Sequence, residues 1–142
     1  MAEISQAALV GAWRLVSLES TDADGVVSRP IGADAIGQIV YHATGRMSAQ
    51  IVRAARPRFA SDDNVAAADG EAAAAWRGYV GYFGTYSVDA AAGIVTHHVE
   101  GAWFPNFEGG DVVRTCRVDG ERLELGGPTP YGMTLITWER IA

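Results

Sequence analysis

The sequence lacks the features that mark secreted, membrane-spanning and nucleic-acid-binding proteins. Cys116 is its only cysteine, which excludes an internal disulfide and fits a reducing cytoplasm. No apolar run is long enough to cross a bilayer, and the opening Met1-Ala2-Glu3-Ile4-Ser5 has neither the basic nor the apolar region of a secretory signal. The formal net charge is -6, whereas nucleic acids and anionic membranes attract a basic surface. We therefore expect a cytoplasmic protein without nucleic-acid or membrane partners.

Motifs of metal, cofactor and covalent chemistry are missing too. His42, His97 and His98 do not have the spacing of zinc ligands. No segment matches the nucleophile elbow of serine hydrolases, the phosphate-binding P-loop or the dinucleotide-binding glycine fingerprint. The sequence thus predicts no metal and no cofactor.

The segments that are present have the character of β-strands. The chain has 142 residues, enough for one domain with a core, and 49% of them are hydrophobic. The eight predicted strands cover residues 10–19, 37–42, 46–53, 83–88, 94–103, 111–118, 121–125 and 131–141. Residues 71–77 are Ala-rich and begin with an acidic residue, so they predict the one good helix. Eight strands is the number at which a closed barrel holds one small ligand.

The connecting segments alternate in length. The first, third, fifth and seventh are long or irregular, and the others are short. In an up-and-down meander, alternate connections lie at the same end of the barrel. Tight hairpins should therefore seal one end, while the helix at residues 71–77 and the aromatic segment 104–107 ring the other. A sandwich of eight strands fits the same spacing and stays an alternative.

The two ends of the chain favour the barrel. Gly11-x-Trp13 opens the first predicted strand, and Arg140 lies near the end of the last. At the sealed end, the Trp13 indole would plug the floor, and the Arg140 guanidinium would lie across it as a cation–π pair, within about 6 Å of the ring centroid. Gly11 would let another backbone approach the indole. This pairing resembles the signature of the lipocalins and calycins.

Further segments resemble the bacterial lipocalin-like domain family of small intracellular proteins. They are Leu9-Val10-Gly11-Ala12-Trp13-Arg14-Leu15-Val16-Ser17, Gly45-Arg46-Met47-Ser48, Tyr82-Phe83-Gly84-Thr85-Tyr86, Val95-Thr96-His97-His98-Val99-Glu100-Gly101 and Phe104-Pro105-Asn106. The resemblance covers essentially the whole chain and implies a single domain over residues 1–142. We therefore expect an all-β fold, an eight-stranded up-and-down antiparallel lipocalin-like (calycin) barrel with one short helix capping the open end. The family has no agreed activity or substrate, so the resemblance assigns no catalytic residue.

Ionisable residues interrupt one apolar strand, residues 94–103. Because neighbouring strand residues point to opposite faces, His97 and His98 cannot both face the interior. If Val99 faces inward, His97 is the interior histidine, which is the arrangement that apolar-in patterning favours. If His98 faces inward, it comes with Glu100, and the cavity holds a His/Glu pair. For either histidine, a hydrogen-bonded wall residue is the plainer interpretation.

Arg114 lies on the next predicted strand, on the face that it shares with Val112 and Cys116. We expect it opposite about Val99 or Glu100, where it can bind a ligand carboxylate or enolate. An ion pair with Glu100 is the alternative. Cys116 is expected to be a small core residue.

Residues in the middle of strands or on the aromatic rim are predicted to contact a ligand, because side chains meet across a small barrel. The predicted ligand-binding residues are Tyr41, Met47, Tyr82, Tyr86, His97, His98, Glu100, Trp103, Phe104, Asn106, Arg114 and Tyr131. If the protein is an enzyme, the predicted catalytic residues are His97, His98 and Arg114.

Three functions fit such a barrel. The first is cytoplasmic binding of a small, mostly hydrophobic molecule. The second is a cofactor-free isomerase, cyclase or lyase, in which a histidine serves as acid–base and an arginine or tyrosine stabilises an enolate. The third is a structural or interaction module with a filled barrel, for example a homodimer through the outer strand faces. An open apolar cavity favours binding, whereas an internal histidine with a near-neutral pKa favours catalysis.

Overall fold

The structure is a computed structural model that describes residues 4–141, most of them in antiparallel strands. Within these residues the strands β1 to β9 are Gly11–Thr21, Val27–Ser28, Ile36–Tyr41, Arg46–Val52, Tyr79–Asp89, Ile94–Ala102, Asp111–Asp119, Arg122–Thr129 and Gly132–Arg140. The α-helices α1 and α2 are Gln6–Leu9 and Asp69–Arg77, and Pro105–Phe107 form a 3-10 helix. None of the helices in the described residues is long and apolar enough to cross a membrane.

Parts of two expectations lie outside the described residues. The expected absence of a secretory signal rests partly on Met1, Ala2 and Glu3, and the predicted domain ends at Ala142.

The sheet closes because its last strand pairs with its first. From β1 the order runs through β3, β4, β5, β6, β7, β8 and β9, each antiparallel to the next. β9 then pairs with β1, from Trp13 opposite Arg140 to Thr21 opposite Met133. The two-residue β2, which the sequence did not predict, pairs with the end of β1 that β3 leaves uncovered. The predicted eight-stranded up-and-down barrel is confirmed, and the sandwich alternative is wrong.

Strand alternation decides which side chains fill the interior. On β7, for example, Val112, Cys116 and Val118 are buried, whereas Val113 and Arg117 are exposed. The same period of two is seen on β4 and β6, as the pleat of a β-strand requires. Large side chains of the resulting core include Trp13, Leu15, Ile39, Tyr41, Met47, Tyr86, Val95, Leu123, Leu125 and Trp138.

The floor of the barrel is built on Trp13 and Arg140, as predicted. Trp13 is 0% exposed, and its Nε1 donates a hydrogen bond to the Leu9 carbonyl (2.9 Å). The Arg140 Cζ lies 4.1 Å from the Trp13 ring centroid, which is within cation–π reach. The same guanidinium donates to the carbonyls of Val10 (3.0 Å) and Ala8 (2.9 Å), at the end of α1. One side chain therefore joins the last strand, the first strand and the helix that precedes it.

The helix α2 and the 3-10 helix lie at the same end of the barrel, which confirms the interpretation of the long links. The Trp76 ring centroid is 6.3 Å from those of both Trp103 and Phe104. The Trp76 Nε1 also donates to the Trp103 carbonyl (3.2 Å). In the first turn of α2, the Glu71 carboxylate accepts a hydrogen bond from the backbone N–H of Ala68 (3.3 Å), which helps to start the helix.

β5 is longer than the sequence predicted. It begins at Tyr79 rather than at residue 83, and it pairs with β4 from Tyr79 opposite Val52 to Thr85 opposite Arg46. The sequence predicted residues 79–82 to belong to the preceding link, and Gly81 by itself weakens a strand. Pairing with a complete neighbouring strand overrides that local preference.

β8 is longer as well, because it continues through Gly126 and Gly127, which the sequence predicted to be a link. Both residues pair with β9. A Cβ placed on Gly127 would lie 2.9 Å from Nη1 of Arg114. Gly127 therefore leaves room for the Arg114 side chain within the ladder.

The floor generates a stability prediction. Trp13→Ala removes a fully buried side chain and should lower the free energy of unfolding by about 3–5 kcal/mol in urea denaturation. Trp76→Ala is the matched control, because Trp76 is 47% exposed. It should cost roughly 1 kcal/mol or less. Equal losses in the two variants would contradict the role of Trp13 as the floor.

Candidate functional site

Above the floor, the barrel encloses a cavity of about 540 Å³. Its wall extends from Trp138 and Leu125 to residues of α2 and of the 3-10 helix, so the cavity opens at the end with the long links. The apolar and aromatic lining residues are Leu18, Pro30, Ile31, Ile39, Ala49, Ile51, Trp76, Tyr79, Val80, Tyr82, Trp103, Phe104, Phe107, Leu125, Pro130, Tyr131, Ile136 and Trp138. The other lining residues are Arg53, Arg77, His97, Arg114, Thr129 and Thr134. Among the described residues, no Asp or Glu lines the cavity.

The lower part of the barrel is filled by its own side chains. The rings of Tyr41 and Tyr86 meet edge to face with centroids 4.8 Å apart, and the Tyr86 hydroxyl donates to the His42 carbonyl (2.8 Å). Tyr41, Met47 and Tyr86 do not line the cavity, so their predicted place in its wall is wrong. Tyr41 and Met47 lie beside the sealing hairpin rather than mid-strand. Because β5 extends further towards the open end, Tyr86 lies deeper than predicted.

His97 is the histidine that faces the interior. It alternates on β6 with the buried Val95 and Val99, and it is 1% exposed. Its two ring nitrogens each contact a tyrosine hydroxyl: Nε2 lies 2.6 Å from Tyr41, and Nδ1 lies 2.7 Å from Tyr82. Tyr41 belongs to the filled lower part, whereas Tyr82 lines the cavity. His97 thus connects the core to the cavity wall.

The three rings of this cluster are uncharged at neutral pH. Burial, followed by the charge of Arg114 and the Coulombic interaction with His98, lowers the pKa of His97 from 6.5 to about 3. Burial raises the pKa of Tyr82 to about 12 and raises the pKa of Tyr41 well above its ordinary value. A neutral imidazole has one N–H donor and one bare nitrogen acceptor. Since both nitrogens are engaged, His97 is a poor general base for a ligand.

Arg114 faces the cavity from β7. It lies opposite Val95, so the prediction that it lies opposite Val99 or Glu100 is wrong. The ladder between β6 and β7 stops at residues 98 and 111, and a longer loop than expected joins them. The Arg114 Nη1 donates to the Val113 carbonyl (3.0 Å), and no carboxylate of the described residues forms an ion pair with Arg114. Among the described residues, Arg114 is therefore a cation without a counter-charge beside a mostly apolar space.

His98 and Glu100 face outward, so the predicted alternative of a His/Glu pair in the cavity is wrong. The His98 Nδ1 lies 2.8 Å from an Asp111 carboxylate oxygen, and its Nε2 lies 3.0 Å from the Ser87 hydroxyl. Glu100 forms an exposed ion pair with Arg46 (3.0 Å). The Glu100 carboxylate is thus paired outside the barrel, so the predicted alternative of an ion pair between Glu100 and Arg114 is wrong.

The remaining predicted residues divide between the wall and the surface. The predicted ligand-binding residues that line the cavity are Tyr82, His97, Trp103, Phe104, Arg114 and Tyr131, and their role in binding remains a prediction. Asn106 is exposed on the 3-10 helix and does not line the cavity. Cys116 is buried, and burial raises the pKa of its thiol to about 12, which suits a core residue. No cluster of His, Cys, Asp or Glu in residues 4–141 is arranged to hold a metal ion.

Sequence reasoning missed other parts of the wall. Counting back in twos from Trp138 along the last predicted strand would have indicated Ile136 and Thr134. Arg53 lies just beyond the end of β4, and Arg77 is the last residue of α2. At such positions no periodic signal assigns a side chain to one face.

The chain is similar to a sequence family, to a carrier protein and to solved structures. The sequence model described as "Lipocalin-like domain" matches residues 10–141. The chain is 29% identical over 107 residues to the 4'-hydroxy-3'-methoxypropiophenone carrier protein ppsC of Aspergillus oryzae (strain ATCC 42149 / RIB 40), covering 67% of this chain and 96% of the relative. Among solved structures it is similar to Echinococcus granulosus fatty-acid-binding protein 1, with 12% identity, a TM-score of 0.45, and coverage of 96% of this chain and 99% of that chain. It is also similar to the Schistosoma mansoni fatty acid binding protein in complex with arachidonic acid, with 14% identity, a TM-score of 0.47, and coverage of 98% and 100%.

The burial of His97 predicts a pH dependence of stability. In the unfolded chain His97 binds a proton near pH 6.5, whereas in the folded chain it does so only near pH 3. The unfolded state therefore binds more protons between these values, and His97 lowers stability by roughly 1.4 kcal/mol per pH unit as the pH falls from 6.5 towards 3. The direct measurement is an NMR titration, in which the His97 ring signals should keep their neutral positions from about pH 7 to about pH 4. A His97 titration midpoint near its ordinary value would contradict the burial of this ring.

Proposed function

Because the chain belongs to the lipocalin-like domain family and its barrel holds an apolar cavity, we propose that it binds a small, mostly hydrophobic molecule. The cavity is the single observation that carries the proposal. A volume of about 540 Å³ lies within the range of small-molecule sites, which are mainly apolar with a few placed polar groups. Aromatic side chains around the opening would cover the ligand and would be covered by it in turn.

Arg114 supplies the polar anchor in this proposal. A guanidinium that has no carboxylate partner within residues 4–141 and faces a low-dielectric space gains most from a ligand oxygen that carries negative charge or a strong lone pair. The Aspergillus oryzae relative is named as a carrier of a propiophenone, which is an aryl ketone. That name supports a ligand with an aromatic body and an oxygen-containing end for this chain as well.

The two other functions have weaker support. The filled-barrel module does not agree with the cavity. The isomerase, cyclase or lyase needs a base, and His97 has both ring nitrogens in hydrogen bonds and a pKa of about 3. His98 lies on the outer face, where it contacts Asp111. Binding without chemistry is therefore the function that the geometry favours.

The expectations about source, compartment, oligomeric state and partners stay proposals. We propose a bacterial source because of the resemblance to the bacterial lipocalin-like domain family, and the cytoplasm as the compartment because Cys116 is the only cysteine of the sequence. We also propose a homodimer through the outer strand faces, where apolar side chains such as Phe83, Val113 and Leu135 are exposed. The net charge of -6 supports the absence of nucleic-acid and membrane partners.

The experiment that tests the proposal is the displacement of a neutral fluorescent naphthalene dye. We expect the dye to bind, and both 4-phenylbutanoate and its uncharged methyl ester to displace it. Arg114→Met should weaken binding of the acid by about 2 kcal/mol through loss of a charge-assisted hydrogen bond, while the ester changes little.

The matched control is Arg117→Met, on the same strand, since the Arg117 side chain is exposed on the outer face. It removes the same charge and should leave both affinities within about 0.5 kcal/mol of the unmodified protein. Equal weakening of acid and ester by Arg114→Met would make Arg114 a structural residue. If neither the dye nor the two ligands bind, the proposed function is wrong.

A further inference from the structure

We propose that Tyr41 holds the His97 proton on Nδ1 and thereby makes Tyr82 a hydrogen-bond donor to the ligand, so that the cavity selects molecules whose polar end is an acceptor, such as a ketone or a carboxylate. Tyr41 is then a positioning residue, because it acts on the ligand only through His97 and Tyr82. This inference rests on the proposed function, since it specifies the ligand chemistry of the same cavity.

The cluster of Tyr41, His97 and Tyr82 has only two hydrogen-bond arrangements. A neutral His97 carries its proton on one ring nitrogen and accepts at the other. If the proton is on Nδ1, His97 donates to the Tyr82 oxygen and accepts at Nε2 from Tyr41. If the proton is on Nε2, the direction of both bonds is reversed. The positions of the heavy atoms are the same in both, so the partners must decide.

Tyr41 favours the His97 tautomer with the proton on Nδ1. The Tyr41 side chain is 1% exposed, and among the described residues its hydroxyl has no hydrogen-bond partner except His97. With the proton on Nε2, the Tyr41 oxygen would accept, and its own O–H would be buried with no protein acceptor. Buried donors without acceptors are rare and costly. With the proton on Nδ1, the Tyr41 O–H donates to Nε2 and the cost disappears.

With the His97 proton on Nδ1, the Tyr82 hydroxyl becomes a donor towards the cavity. Its oxygen accepts from Nδ1–H of His97, so its own O–H is left to donate. Tyr82 lines the cavity, and no other side chain or backbone group of the described residues pairs with its hydroxyl. The opposite tautomer would use that O–H on His97 and would present lone pairs to the ligand instead. The position of one proton thus decides whether the wall donates or accepts.

The other polar groups of the cavity wall also favour a ligand that accepts hydrogen bonds. Arg114 can only donate, and its positive charge acts on Tyr82. The Thr134 hydroxyl lies 2.8 Å from the Thr129 hydroxyl and 2.6 Å from the Ser20 hydroxyl, so these groups are paired within the protein. With no carboxylate on the wall among the described residues, the deep polar end of the cavity offers donors. A ligand matches it with a carbonyl or carboxylate oxygen.

The decisive measurement on the free protein is the His97 tautomer, read from long-range ¹H–¹⁵N NMR correlations of the imidazole. We expect the proton on Nδ1 in the unmodified protein. A proton on Nε2 would overturn the inference, whatever ligand binds. Tyr41→Phe removes the group that requires a bare Nε2, so both tautomers should become populated. An unchanged Nδ1–H tautomer in this variant would overturn the role of Tyr41.

The ligand measurement uses propiophenone and propylbenzene, which differ by one carbonyl group, in the same dye displacement. Tyr82→Phe should weaken the ketone about fivefold, the size of one net hydrogen bond, and change the hydrocarbon by less than about twofold. Tyr41→Phe should weaken the ketone selectively as well, although Tyr41 does not line the cavity. 3-Phenylpropanoate tests the carboxylate in the same variants and should follow the ketone.

Tyr86→Phe is the matched control, because it removes a tyrosine hydroxyl from the same core but one that donates to the His42 carbonyl. It should change neither the tautomer nor the preference for the ketone. Equal losses for ketone and hydrocarbon in Tyr82→Phe would overturn the inference while leaving hydrophobic binding intact. If neither compound binds to the unmodified protein, the proposed function fails, and the NMR measurement still decides the tautomer.

Discussion

The contact between Trp13 and Arg140 joins the two ends of the chain, and the closed barrel depends on that junction. These residues are neighbours across β1 and β9, and the guanidinium also binds the carbonyls that end α1. If β9 did not return to β1, both strands would be open sheet edges with unpaired backbone groups. The interior would then have a gap in its wall. Closure therefore precedes every property of the cavity, because an enclosed apolar space requires an uninterrupted ring of strands.

Within the ring, the interior is divided between packing and space. Large side chains fill the sealed end, and the strands beyond them leave the cavity open towards α2. The cluster of Tyr41, His97 and Tyr82 lies at this boundary, so a hydroxyl in the core is hydrogen-bonded to a group of the wall. Polar groups are tolerated there because each has a partner and none of the three rings is charged. Arg114 is different, since its charge has no carboxylate partner in the described part of the chain and is therefore available to a ligand.

Much of the fold was predictable because its signals are local. Alternating apolar residues, tight turns and the lengths of the links indicated the strands, the sealed end and the open end. The errors lie where local preference and pairing disagree. Tyr79 to Tyr82 and Gly126 to Thr129 have glycine or proline among them and look like links, yet each segment has a full neighbouring strand to pair with. Backbone hydrogen bonds to a neighbour are not visible in a window of the chain.

The amino-acid sequence requires that only one of His97 and His98 faces inward, because neighbouring strand residues point to opposite faces, and its apolar pattern favours His97. It also determined that the ends of the chain meet at Trp13. The folded barrel sets which of the two histidines faces inward, how deep each side chain lies and which groups it contacts. Arg114 lies opposite Val95 because the β6–β7 ladder begins further from the loop than the hairpin pattern suggested. Tyr41 and Tyr82 reach the same imidazole from strands that are far apart in the chain. Strand register and barrel closure set these meetings, and both are properties of the whole ring rather than of any segment.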